Sequence, residues 1–366
     1  MGEAPEIQLH IREEARPTSS SSQEAAFAQP QSSSKLTNWQ WWFLLFFYSF
    51  LILAGHTSGN LLGRFYYNQG GKSVWMATIT PSAGFPLIIP LLLLLPPSST
   101  AAVHRPSIVK LAAIYISLGL LTTGNNLMYA YGLLYLPVST YSLVCATQLA
   151  FNAVFSYFLN SQKFTPFIFN SIILLTTAAA LLGVHSEGGS VSGHKYSIGL
   201  ALTLAASAGF SLVLSLTQLA YQKVIKSETF TVVLEMILWT GLVSTASSVA
   251  GLFASGEWRG IREEFAGSEK GKVTYVMTLI WIAICWLVYS VGNVGLIFQV
   301  SSLFANVIGT LATPLVPILA VVFFHDRMDG VKVVALLISI LGFVNYVYQH
   351  YLDDAEEKKA TRIEHP

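Results

Sequence analysis

The chain has 366 residues, of which 53% are hydrophobic and only 11% are charged, and its net charge is +1. Soluble proteins carry about 25% charged residues, so this composition excludes an ordinary soluble enzyme. The near-neutral charge gives no indication of nucleic-acid binding, which needs a basic face, and no disulfide framework can be inferred from the two cysteines.

The first 38 residues are rich in Ser, Gln, Glu, Ala and Pro. Such a segment buries too little apolar surface to offset the entropy that is lost on ordering. We therefore expect residues 1–38 to form a disordered tail on the cytosolic side of a membrane.

Ten stretches that follow the tail are apolar and long enough to cross a bilayer, which takes about 20 residues. They lie at 39–63, 74–95, 108–133, 138–159, 166–184, 196–222, 229–254, 273–298, 301–324 and 331–351. No polar stretch is long enough for a separate catalytic domain. The sequence thus predicts an all-α membrane protein with about ten transmembrane helices, and not an enzyme.

The two halves of the chain resemble each other. Residues 132–140 are similar to residues 295–302, and in each half an apolar helix, a short turn and another apolar helix follow. A repeat of five helices enters the membrane in opposite senses in its two copies, an arrangement found in transporters. We predict inverted five-helix repeats at 39–185 and 196–351 and a C-terminal tail at 352–366; chance similarity of Leu-rich sequence is the alternative.

Glu235 is the one clear carboxylate inside the predicted helices. An ionisable group within a membrane is a functional candidate by default. It would carry a coupling proton or accept a hydrogen bond from a substrate. A structural carboxylate near the membrane interface is the alternative.

Amide and aromatic side chains recur at helical spacing on several predicted helices. Such residues often only hold helices together, but so many uncharged carboxamides favour a cavity for a flat, neutral ligand. Amides can pair with the edge of a base, and aromatic rings can stack on its face. The candidate substrate-binding residues are Asn60, Trp75, Asn126, Tyr129, Gln148, Gln218, Tyr289 and Asn293, together with Glu235.

Three further patterns carry local predictions. Gly55, Gly59 and Gly63 repeat every four residues, which favours close helix packing over a hinge. Prolines and glycines make the second helix irregular, as in the broken helices that line transporter sites. Residues 258–265 read as an interfacial or solvated loop. The histidines show no metal-ligand spacing, so we expect no metal and no other cofactor.

Several segments resemble signatures of the plant purine permeases, in the same order along the chain. They are residues 67–75, 82–86, 124–133, 136–140, 300–304, 323–327 and 342–344. Pro81 stands where many members have glutamine, and Ala305 where serine is common. The first departure bears on substrate preference.

The resemblance implies a member of the drug/metabolite transporter superfamily, with ten helices in two inverted repeats. It implies a secondary transporter that imports adenine and adenine-derived cytokinins by alternating access, with protons as the coupling ion. Its expected partners are a purine or cytokinin and membrane lipid, in the plasma membrane or, alternatively, the vacuolar or endoplasmic reticulum membrane. Other functions left open are transport of an alkaloid, vitamin B6 or a nucleotide sugar, facilitative uniport, and a membrane receptor.

Overall fold

The computed structural model describes residues 38–94, 107–160, 165–184, 193–225, 230–267, 271–300, 302–325 and 328–364. These residues are mainly helical, and no strand occurs among them, in agreement with the predicted all-α class. The predicted tail lies outside the described residues except for Asn38, where the first helix begins.

Thirteen α-helices run through the described residues. They are α1 (Asn38–Asn68), α2 (Val74–Ile79), α3 (Ile88–Leu94), α4 (Ile108–Tyr135), α5 (Val138–Cys145), α6 (Gln148–Asn160), α7 (Pro166–Val184), α8 (Gly193–Ala220), α9 (Phe230–Ser255), α10 (Ile261–Ala266), α11 (Lys272–Gln299), α12 (Ser302–Phe324) and α13 (Gly330–Glu364). Short 3₁₀ turns precede α3 and α10, and a π-helical turn, Tyr221–Ile225, extends α8.

Six segments of the described chain are long and apolar enough to cross a membrane. They are Trp41–Asn68, Ile108–Tyr135, Val138–Leu159, His194–Ile225, Thr231–Ser255 and Lys272–Gln299. Spanning segments are helical because a helix satisfies all its backbone hydrogen bonds internally, where no water is available.

The second predicted helix is broken, as its prolines indicate. It ends at Ile79, turns through residues 80–84 and resumes as a 3₁₀ turn and α3. Proline at position 81 has no backbone N–H to continue the helical ladder. The predicted irregularity of this helix is therefore confirmed.

The fourth predicted helix is also interrupted, which the sequence pattern did not indicate. A turn at Ala146 and Thr147 separates α5 from α6. The Thr147 hydroxyl donates a 2.7 Å hydrogen bond to the carbonyl of Val144. Side chains of this kind offer the backbone a partner that competes with the helical ladder.

Close packing at the helix-one glycines is confirmed. A Cβ atom at Gly55 would lie 2.6 Å from the carbonyl oxygen of Cys285, and one at Gly59 would lie 2.9 Å from the Trp286 indole nitrogen. A Cβ atom at Gly63 would lie 2.9 Å from the side chain of Leu133. The first two glycines thus let α1 lie directly against α11.

The last helix is longer than the sequence indicated. It continues to Glu364, through the predicted C-terminal tail.

Candidate functional site

A cavity of about 210 Å³ lies between α1, the α2–α3 break, α4, the α5–α6 break, α8, α9 and α11. No Lys, Arg, Asp or Glu of the described residues lines it. Its polar side chains are amides, hydroxyls and one imidazole, that of His56. This lining fits a neutral, partly polar molecule, because a phosphate or carboxylate group would need a cationic partner.

Part of the wall consists of aromatic rings from α1, α8 and α11. The His56 ring lies 5.9 Å from Trp286 and 5.5 Å from Tyr289, and these two rings are 5.4 Å apart. Phe210 lies 6.4 Å from Tyr289. Such edge-to-face and tilted contacts hold rings in place, so the cavity offers a preformed surface for a flat molecule.

Another part of the wall is a network of short polar side chains. Asn126 donates a 3.2 Å hydrogen bond to the hydroxyl of Ser82, in the α2–α3 break. The Ser82 hydroxyl lies 2.9 Å from that of Ser244 in α9. These contacts connect the broken helix to α4 and α9 and fix the position of the Asn126 amide.

Gln148 enters the cavity at the break between α5 and α6. Its side chain is buried, and its backbone carbonyl accepts hydrogen bonds from the Ser211 hydroxyl at 2.6 Å and the Asn306 amide at 3.4 Å. The backbone that carries this amide is therefore held by both α8 and α12.

Three buried polar atoms of cavity-lining side chains have no hydrogen-bond partner in the part of the chain that the structure describes. They are Nδ1 of His56, Oδ1 of Asn125 and Oδ1 of Asn293. Leaving such an atom unpaired costs about 1–3 kcal/mol. A bound molecule with matching donor and acceptor groups, or a water molecule, would remove that cost.

The structure brings six of the nine predicted site residues together in the cavity wall. These residues are Asn60, Asn126, Tyr129, Gln148, Tyr289 and Asn293. They come from α1, α4, α6 and α11, so residues far apart in sequence meet at one place.

The other three predicted residues lie outside the cavity wall. The Trp75 ring packs against Gly251 in α9. The side-chain amide oxygen of Gln218 accepts hydrogen bonds from the backbone N–H and the hydroxyl of Ser302, so this residue joins α8 to α12. Glu235 is exposed, because on α9 it points away from the neighbouring cavity residue Met236.

His56 and Phe210 line the cavity but were not among the predicted site residues. A signal existed for His56, since it precedes Asn60 by one helical turn, and the two side chains lie 3.4 Å apart. No pattern in the sequence distinguishes Phe210 from the many phenylalanines whose side chains are exposed.

One end of the cavity wall is backed by the segment Glu257–Ala266, which we call the strap. Tyr66 lines the cavity and donates a 2.5 Å hydrogen bond to Glu264 of the strap. Glu264 also accepts hydrogen bonds from the Tyr275 hydroxyl at 2.8 Å and from the Ser73 N–H at 3.0 Å. The expected interfacial or solvated loop at residues 258–265 is thus corrected at Glu264, which is buried because it folds back onto α1, α2 and α11.

Comparison with known proteins agrees with these features. A family model described as purine nucleobase transmembrane transport matches residues 43–356. The chain is 51% identical over 331 residues to probable purine permease 11 of Arabidopsis thaliana, covering 89% of this chain and 87% of that protein. It is 48% identical over 322 residues to purine permease 21 of the same plant, covering 86% of this chain and 83% of that protein.

A third Arabidopsis relative, probable purine permease 6, is 45% identical over 369 residues, covering 98% of this chain and 92% of that protein. A crystal structure of another protein superposes with a TM-score of 0.51 at 17% identity, covering 83% of this chain and 95% of that chain. The last likeness concerns the fold alone.

Proposed function

Because the chain belongs to the purine permease family of membrane transporters, we propose that it imports adenine and adenine-derived cytokinins. The protein is a multi-pass membrane transporter of purines and not an enzyme. The observation that supports the narrower substrate is the cavity wall, which has no charged side chain among the described residues and combines amides with aromatic rings.

The chemistry of an adenine-type base matches that wall. The unpaired Oδ1 of Asn293 would accept a hydrogen bond from a ring or exocyclic N–H. The Gln148 amide offers one donor and one acceptor, the combination with which amides read the edge of adenine. Trp286 and Tyr289 would contact the face of the base, and stacking of this kind contributes about 1–3 kcal/mol per base.

We also propose that the chain works by alternating access of two inverted five-helix repeats. The packing supports this arrangement. If α1 to α7 form one repeat, with α2–α3 and α5–α6 each counted as one broken helix, exchanging the repeats maps the pair α1–α11 onto α8–α4. The same exchange maps the pair α6 and α8 onto the pair α12 and α1. All four of these helix pairs are in contact. The pairs α7–α13 and α2–α9 map onto themselves, and both are packed.

Proton coupling is the third part of the proposal. Glu235 lies outside the cavity wall, so its position gives no support to direct contact with the substrate. Carriage of a proton is the role that is left to test for this residue. Facilitative uniport, the alternative, needs no titratable group.

Uptake of labelled adenine and trans-zeatin into proteoliposomes tests the substrate and the coupling together. We expect saturable uptake of both compounds, accelerated by an imposed proton gradient, and no uptake of uracil. Absence of uptake of both purines would overturn the substrate proposal, and uptake that ignores the gradient would favour uniport. Nicotine and pyridoxine, included as competitors, test the wider class of heteroaromatic substrates.

The plasma membrane is the proposed location. A fluorescent fusion of the full chain in plant cells should label the cell boundary and remain there after plasmolysis. Labelling of the vacuolar or endoplasmic reticulum membrane would instead assign the protein to an internal compartment.

A further inference from the structure

The strap is tied to the cavity wall through the carboxylate of Glu264. We propose that Glu264 is a positioning residue for transport: through Tyr66 and α2 it holds the cavity closed at the strap end. Entry or release of substrate at that end then requires the hydrogen bonds of Glu264 to break. This inference rests on the proposed function, since a closed end matters only in a carrier that works by alternating access.

The burial of Glu264 is the first observation. Its side chain is 8% exposed, and among the described residues only Glu264 and Lys332 are both charged and this deeply buried, apart from histidine. A buried charge is tolerated only when it is paired or hydrogen-bonded. Glu264 meets this requirement through the hydroxyls of Tyr66 and Tyr275 and the backbone N–H of Ser73.

These three donors come from three separate elements. Tyr66 is in the last turn of α1, Ser73 is the N-cap of α2, and Tyr275 is in the first turn of α11. One carboxylate therefore joins three helix ends at the same end of the cavity. Hydrogen bonds to an ionised acceptor are about twice as strong as neutral ones, so this junction depends on the charge of Glu264.

A second carboxylate of the strap reinforces the tie to α2. Glu257 accepts hydrogen bonds from the Ser73 hydroxyl at 2.7 Å and from the Trp75 N–H at 3.2 Å. The helix that Ser73 caps, α2, leads directly into residues 80–84, the break that contributes to the cavity wall. Displacement of the strap would therefore release the start of α2 and, through it, the cavity wall.

One glycine with positive φ directly precedes the strap, and a second one directly precedes α11. Gly256 has φ of 78° and Gly271 has φ of 90°, a conformation that favours glycine. Apart from each glycine and its chain neighbours, no atom of the described residues lies within 4 Å of a Cβ position at either residue. Gly256 therefore joins α9 to the strap without a close side-chain contact at its Cβ position, while polar contacts hold Glu264 of the strap.

Accessibility of Cys145 provides a reporter that does not depend on the substrate. The chain has two cysteines, and Cys145 lines the cavity whereas Cys285 does not. In a Cys285→Ala background, a membrane-impermeant maleimide labels only Cys145. The strap lies at the opposite end of α1 from Asn38, so an N-terminal tag identifies the strap side in sealed vesicles of either orientation.

We expect Glu264→Gln to raise the labelling rate of Cys145 from the strap side about tenfold, because at least one charge-assisted hydrogen bond is lost. The rate from the other side should stay the same or fall. Glu263→Gln is the matched control: Glu263 is adjacent and exposed, so the same charge is removed without breaking the junction, and labelling should not change.

Tyr275→Phe removes one hydrogen-bond donor from Glu264 without altering a cavity-lining residue. It is the substitute variant for the labelling experiment if Glu264→Gln does not fold. We expect it to raise strap-side labelling about threefold. Equal increases from both sides would indicate general loosening, and unchanged labelling in the folded variants would mean that the strap does not gate; either result overturns the inference. Failure of the unmodified protein to take up purines would overturn the proposed substrate, while the labelling result would still decide the role of Glu264.

Discussion

The hydroxyl of Ser211 in α8 donates a 2.6 Å hydrogen bond to the backbone carbonyl of Gln148, the residue at which α6 begins. The Asn306 amide, from α12, reaches the same carbonyl at 3.4 Å. Both contacts lie behind the cavity and neither donor lines it. They fix the position of the Gln148 backbone. The Gln148 side chain, which lines the proposed substrate cavity, is thereby positioned as well.

Replacement of Ser211 by Ala should therefore weaken purine recognition more than it slows turnover. Loss of one hydrogen bond of about 1 kcal/mol predicts roughly a fivefold rise in KM for adenine uptake with a smaller change in Vmax. The matched control is Thr177→Ala, because the Thr177 hydroxyl is exposed and bonds only the carbonyl of Ile173 in its own helix. Equal KM values in the two variants would contradict a positioning role for Ser211.

Asn293→Ala should reduce the apparent affinity for adenine about tenfold, because it removes a buried acceptor that has no partner among the described residues. Competition between labelled adenine and unlabelled analogues measures the effect, with protein amount in the membrane determined in parallel. Asn170→Ala removes the same group from an exposed position on α7 and should leave adenine affinity unchanged. A normal affinity in Asn293→Ala would exclude this residue from the binding site.

Gly55→Ala should destabilise the contact between α1 and α11, since its Cβ would lie 2.6 Å from the carbonyl of Cys285. Overpacking of this kind costs about 1–3 kcal/mol, so we expect a lower melting temperature in detergent and reduced uptake. Gly124→Ala is the control, because beyond the adjacent residues and the neighbouring backbone of its own helix no atom of the described residues lies within 4 Å of its Cβ position. Alanine there should preserve or raise stability, because it is the better helix former.

Glu235→Gln should leave adenine binding within about twofold of the unmodified protein, because Glu235 is exposed and outside the cavity wall. Binding by the purified protein and uptake with an imposed gradient separate the two roles. Loss of the gradient effect with normal binding would assign a coupling proton to this residue. Loss of binding itself would contradict the described position of Glu235.

The helical class and most helix boundaries follow from the sequence, because the bilayer requires long apolar segments that satisfy their own backbone. The prediction for residues 108–133 corresponds to Ile108–Tyr135, and 166–184 matches Pro166–Val184. Helix breaks were predictable where proline causes them, as at Pro81. The break at Thr147 was not, because it depends on the conformation of one hydroxyl.

The site was only partly predictable. Spacing along a single helix identified Tyr289 and Asn293 as one face, and both line the cavity. Periodicity cannot show whether a polar face meets a cavity or another helix, which is why Gln218 was taken for a site residue although it holds Ser302.

The low content of charge by itself determined that this chain is a membrane protein and that its interior suits a neutral ligand. Which carboxylate is buried was decided only by the tertiary structure. Glu235 lies within an apolar helix and is exposed, whereas Glu264 lies in a polar connection and is buried. The physical reason is that both outcomes depend on contacts between residues far apart in sequence. Tertiary packing sets which face of α9 points outward, and the strap packs onto Tyr66, Ser73 and Tyr275, up to 198 positions away.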